Sequence, residues 1–206
     1  MRAYIDCEFT DLRQSAKFIS LALITEDDRF FYAEFNDYDE TNLSDWVKFY
    51  VLGNLLMSPP KPGEQEFFSM SRVDKDTPLT EKNSIQMRGN TVEITIALTE
   101  WLEQFDQLEI WGDYPAYDWV LFCELFGGSL NLPDKIYYIP FDLCTLLKLK
   151  GIDPDIGRER CVKDHIQDNP NLMSLLGKLS ITRVFFSHNS FYDTLLVRAI
   201  VNKLMT

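Results

Sequence analysis

The sequence predicts an α/β domain, a mixed sheet of five to six strands flanked by helices. Three observations carry that expectation. Strand-like segments come first and follow one another closely. Segments of helical period then alternate with further short strands. One early segment, FISLALIT, is apolar almost throughout, as in a strand covered on both faces.

Residues 3–10 (AYIDCEFT) set Ile5, Cys7 and Phe9 against Tyr4, Asp6, Glu8 and Thr10, the two-residue period of a strand. FISLALIT (18–25) is the second strand and FFYAEF (30–35) the third, joined by a turn at Glu26-Asp27-Asp28-Arg29. Short connections make these three an antiparallel meander. LSDWVKFYVLGNLL predicts an amphipathic helix with Ser44 or Asp45 as its cap. Residues 58–90 are rich in Pro, charge and small polar side chains and predict an irregular excursion, a substrate flap or a subunit contact. TVEITIALTEWLEQF then reads as a helix and LEIWG (108–112) as a strand. A helix from about Pro115 stops at Gly127-Gly128. IYYIPF (136–141) predicts a strand and DLCTLLKLKG a helix. The charged stretch 152–180 predicts short helices and loops, and a helix from Ser190 to Leu204 closes the chain.

A chain of 206 residues, 46% of them hydrophobic, suffices for one domain spanning 1–206. Asp6 and Glu8 interrupt the only apolar stretch near the start, so no secretory signal is expected. No run approaches the roughly 18 apolar residues of a membrane span. These features predict a soluble, cytoplasmic protein. The cysteines at 7, 123, 144 and 161 form no CxxC pair, which argues for reduced thiols over a zinc site or a disulfide framework. The net charge of −12 excludes the broad basic surface that wraps long duplex DNA. A nucleic-acid substrate would have to be gripped over a short stretch, with help from bound cations.

The acids of the first strand raise the chemical question. Asp6 and Glu8 share one face of a strand that sits beside a fully apolar neighbour. Two uncompensated carboxylates in such a place are costly, and a hard divalent cation removes the cost. Further acids stand at element boundaries. Asp113 is a ligand or a helix cap, and Asp118 is a ligand or an acid placed by the helix dipole. Asp193 is a ligand or part of a capping box begun by Ser190. His188, one of two histidines, precedes the last helix and suits a general base if carboxylates gather around it. His165 lies in a polar stretch and reads as surface or loop.

Asp-x-Glu on a first strand, a later Asp on a helix, then His-x4-Asp at a final helix resembles the DEDDh 3′–5′ exonuclease superfamily of the ribonuclease H-like fold. The matching residues are Asp6 and Glu8 in YIDCEFT, Asp118 in GDYPAYDW, and His188 with Asp193 in HNSFYD. The sister DEDDy group carries Tyr four residues before the last Asp, where this chain has Asn189. DCEF, ISLALITEDDRFFYAEF and GDYPAYDWVLF look most like the small bacterial and phage exoribonucleases, the branch similar to ribonuclease T and the mycobacterial exoribonuclease.

The resemblance implies two divalent cations, Mg²⁺ or Mn²⁺. Asp6 would bridge both, Glu8 and Asp193 would hold the first, and Asp118 would support the second. It implies His188 as general base and hydrolysis of single-stranded nucleic acid from a free 3′ end, RNA favoured over DNA, releasing nucleoside 5′-monophosphates. A homodimer is compatible with the family. Substrate contacts are expected from Phe9, Thr10, Tyr117 and Trp119, with Tyr114 and the basic cluster Arg158, Arg160 and Lys163 as further candidates. Strand alternation argues for Phe9 in the core, and the aromatics around Asp118 also read as core or cleft wall. Two other readings stay open: a ribonuclease H-like endonuclease, which would cut internally, and a catalytically silent nucleic-acid- or protein-binding module.

Overall fold

The computed structural model describes residues 1–57, 84–166 and 188–206. Three strands come first, β1 (Arg2–Phe9), β2 (Phe18–Thr25) and β3 (Phe30–Phe35), and they pair antiparallel as the meander predicts. β2 is buried along its whole length, in keeping with its unbroken apolar run. Three more strands join in parallel: β4 (Ile85–Gly89) beside β3, β5 (Glu109–Gly112) beside β1, and β6 (Phe141–Asp142) beside β5. The six-stranded mixed sheet runs β4-β3-β2-β1-β5-β6. This α/β arrangement is consistent with a ribonuclease H-like fold.

Helices cover both faces. On one, α1 (Thr91–Leu102) and α2 (Ala116–Leu125) place Ile94, Leu98, Trp101, Leu121 and Phe122 against Ile5, Cys7, Phe9, Leu21 and Phe31. On the other, α3 (Leu143–Leu149), α4 (Arg158–Ile166) and α5 (Ser190–Met205) gather Leu147, Val162, Val197 and Ile200 around Tyr4 and Trp111. The start of α5 also sets Phe191 and Leu195 onto Ala22 and Tyr32. Alternation along β1 therefore decides the site: odd residues enter the α1 core, while Tyr4, Asp6 and Glu8 face α5.

Several expectations change. Of the 58–90 excursion, residues 58–83 lie outside the described residues, but 85–89 form β4. Ile85 and Met87 pack onto the α1-side core, a strand period hidden by polar surroundings. The segment after β3 is helical but not a regular α-helix. Ser44 Oγ accepts from Val47 N at 3.2 Å, a π-type turn covers Val47–Val51 and a 3₁₀ turn Leu52–Asn54. A bulge between Glu8 and Phe9 leaves Ile19 without a cross-strand partner, and Leu43, Val47 and Val51 pack on it. The strand expected at 136–141 shrinks to one bridge, Leu108 to Ile136, and the short β6. Pro140 has no N–H to continue a ladder. Within 152–180, α4 takes 158–166 and residues 167–187 lie outside the described residues. His165 falls within α4, so the loop reading does not hold, and its side chain lies outside the described residues.

Candidate active site

Asp6 and Glu8 stand where β1 leaves its β5 neighbour. β5 pairs with β1 only from Arg2 to Ile5, so the end of β1 opens between two helices. The first turns of those helices bring the other acids. From α5, Asp193 joins Asp6 and Glu8, with carboxylate oxygens of all three within 4.8 Å of one another. From α2, Asp118 accepts the Cys7 N–H at 2.9 Å. Asp118 shares a cleft of about 630 Å³ with Asp6, Glu8 and His188. A second hollow of about 260 Å³ lies beyond Asp6 and His188, with Asp193 and Glu159 on its wall.

The structural readings of these acids change with the geometry. The cap of α5 is Asn189, whose side chain accepts from Tyr192 N at 3.1 Å, so Ser190 begins no capping box. Asp193 instead accepts the His188 N–H at 2.8 Å. Asp113 caps nothing: its carboxylate takes a two-pronged ion pair from Arg158 and the Cys144 thiol at 3.3 Å. Arg158 spends its remaining donors on the Cys144 sulfur at 3.2 Å and on the carbonyls of Pro154 and Ile156. It is a structural clamp, which removes it from the candidates for the substrate backbone.

Burial and crowding weaken the acidity of the group. Burial first, then Asp193, Asp118 and Glu8, push the Asp6 carboxyl well above its ordinary range. Burial, with Asp193 and Asp118, pushes Glu8 to about 8. Burial raises Asp193 to about 7 against the opposing His188 N–H. Burial likewise raises Asp118 to about 6 against its Cys7 contact. The two arginines on the walls, Arg13 and Arg158, are paired with Asp11 and Asp113. Among the described residues, four oxygen-bearing side chains thus converge with no cationic side chain paired to them, and a hard divalent cation meets both needs.

His188 adopts a left-handed backbone, φ +68°, at the rim of both hollows. Such a backbone costs energy in a residue other than glycine and persists where its surroundings hold it. Burial lowers the imidazole pKa while Glu159 pulls it upward. A neutral ring there can accept a proton near neutral pH.

No family model matches the chain. Two relatives do. Proteins named 3′–5′ exoribonuclease from two strains of Mycobacterium tuberculosis are each 27% identical to it over 168 residues. The match spans 82% of this chain and 86% of each relative.

The expected substrate contacts divide. Phe9 is 8% exposed and its ring packs on Phe18, centroids 5.2 Å apart, so it belongs to the cleft floor and not to a stacking surface. Trp119 packs on Phe122 in the α1-side core, away from the cleft wall. Thr10 lines the cleft with its hydroxyl accepting from Lys17 N at 3.0 Å. Tyr117 and Tyr114 line the cleft and are exposed. Trp46 was legible only as part of an amphipathic pattern. Its ring meets His188 edge to face with centroids 4.7 Å apart, half of it open to solvent. Trp46, Phe49 and Tyr50 recur at helical spacing, but on a segment whose core face belongs to Val47 and Val51. Among the described residues no helix is long and apolar enough to cross a membrane.

Proposed function

We propose that the chain is a divalent-metal-dependent 3′–5′ exonuclease of the DEDDh type. Its substrate is single-stranded nucleic acid with a free 3′ end, RNA in preference to DNA, and its products are nucleoside 5′-monophosphates. The observation that carries this reading is the convergence of Asp6, Glu8 and Asp193 within 4.8 Å, with Asp118 and His188 on the same cleft. The exoribonuclease name of the mycobacterial relatives supports the direction of attack and the preference for RNA.

This set of carboxylate oxygen donors fits Mg²⁺ or Mn²⁺. Asp6, Glu8 and Asp193 would hold one ion, and Asp6 with Asp118 a second. Bound there, the ions would supply charge for the phosphate, polarise a water and stabilise the departing 3′-oxygen. His188 accepts the proton of that water as it attacks the terminal phosphodiester in line. The bond from phosphorus to the 3′-oxygen breaks, and the terminal nucleotide leaves with its 5′-phosphate. Trp46 and Tyr117 border the same cleft and offer faces to the terminal bases.

A 5′-labelled single strand of RNA or DNA, incubated with Mg²⁺, Mn²⁺ or EDTA, tests the proposal. The expected product is a ladder shortening from the 3′ end, faster on RNA and absent in EDTA. Internal cuts would mark an endonuclease, and no cutting with either ion would leave a binding module. His188→Ala should slow hydrolysis severely while Mn²⁺ binding, followed by calorimetry, survives. Full activity in that variant would remove His188 as the base.

A further inference from the structure

Two polar side chains lie buried beneath the site with no part in the chemistry above. Tyr32 and Glu34 on β3 are both fully buried. The register Asp6–Ala22–Tyr32 and Glu8–Ser20–Glu34 puts them on the sheet face that carries the acids. Glu34 Oε1 accepts from the Tyr32 hydroxyl and from Met57 N, each at 2.7 Å. Glu34 Oε2 has no partner among the described residues. A carboxylate buried so incompletely satisfied costs stability, which argues for a role other than stability.

The contacts around it join two segments distant in sequence. Glu34 and Tyr32 hold the end of the segment after β3, through Met57 N and through Leu56 N at 3.4 Å from the tyrosine oxygen. Asn189 Nδ2 donates to the Asn54 carbonyl at 2.7 Å, so the turn bearing His188 is tied to the same stretch. Asn189 also caps α5, and Ser190 Oγ bonds Ser20 Oγ at 2.9 Å. The circuit closes at the other end of the segment, where Trp46 touches His188.

We propose that Glu34 and Asn189 are positioning residues, which fix the segment 44–57 against the His188 turn and so set where His188 and Trp46 stand over the acid cluster. The left-handed backbone of His188 is what such a brace would hold. The catalytic consequence rests on the exonuclease reading, whereas the positioning can be measured without substrate or metal.

The chain has two histidines, so the imidazole region of a heteronuclear NMR spectrum contains two ring signals, and His188→Asn assigns them. The Trp46 ring displaces the His188 signal, and Trp46→Leu gives its undisplaced position. Glu34→Leu and Asn189→Ser should both move the His188 signal toward that position, with the His165 signal unmoved as the internal reference. Glu34→Gln, which keeps an acceptor for Met57, should restore it. Serine still caps α5, so Asn189→Ser keeps the test decisive even if Glu34→Leu fails to fold. In turnover, Glu34→Leu and Asn189→Ser should lower kcat about tenfold, with KM and Mn²⁺ affinity within about twofold of the parent. A His188 signal unmoved in a folded Asn189→Ser variant would overturn the brace. A displaced signal in a protein without nuclease activity would uphold the brace and overturn the exonuclease reading alone.

Discussion

Cys7 gives its backbone N–H to Asp118 Oδ1 at 2.9 Å, and this bond ties the first turn of α2 to the open end of β1. Asp118 therefore has two duties that can be separated, a structural acceptor and a negative charge in the cleft.

Asp118→Asn separates them. The amide oxygen still accepts from Cys7, so circular dichroism should be unchanged and the Tm in EDTA equal to or above that of the parent. Hydrolysis of single-stranded RNA with Mn²⁺ should fall about 100-fold. Loss of folding in this variant would show that the charge itself holds the helix.

Without metal, the acids govern how stability depends on pH. In the folded chain Glu8 titrates at about 8 instead of its ordinary 4.5, Asp193 at about 7 and Asp118 at about 6 instead of 3.8. These folded values lie above the unfolded ones, so the folded chain holds more protons. The contribution of these acids to stability is fully present below about pH 4 and declines as pH rises through the folded values. Calorimetry in EDTA should therefore find a lower Tm at about pH 8 than at about pH 5. Mn²⁺ should raise the Tm more at the higher pH, because cations bind the deprotonated acids. A metal-free Tm rising over that interval would contradict the crowding of charge.

Trp46 borders the cleft, whereas Phe49, 72% exposed, does not. Trp46→Ala should raise KM for single-stranded RNA about tenfold, the scale of one lost base stack. It should also lower kcat, since His188 loses its ring neighbour. Phe49→Ala is the control, and steady-state rates should leave it near the parent. Equal effects of the two substitutions would assign the aromatics to packing.

Arg158 and Asp113 form a mostly buried, two-pronged ion pair. Arg158→Ala leaves a partly buried acid with only the Cys144 thiol as its partner, beside the four already crowded there. Urea unfolding should show a loss of about 2 kcal/mol, below the cost of breaking a fully buried pair because both side chains keep some solvent. Removing Asp113 as well should recover part of that loss.

The strand pattern of YIDCEFT, with its two acids on one face, was readable because a two-residue period needs no knowledge of neighbours. FISLALIT and the helix in TVEITIALTEWLEQF were also readable locally, whereas the reciprocal cap of Asn90 and Glu93 emerged only in the structure. β4 was not readable: its parallel pairing with β3 links residues far apart in the chain, and its polar surroundings resemble a loop.

The sequence by itself determined the meander, the alternation of helices and strands, and the five side chains to which the proposed chemistry is assigned. Their types and local periods are properties of short stretches. Tertiary structure alone decided that Arg158 would be spent on Asp113, that Trp119 would pack on Phe122 away from the cleft, and that Trp46 would meet His188. Those outcomes depend on which faces of β1, α2 and α5 are pressed together, and the burial that presses them is shared by the whole sheet.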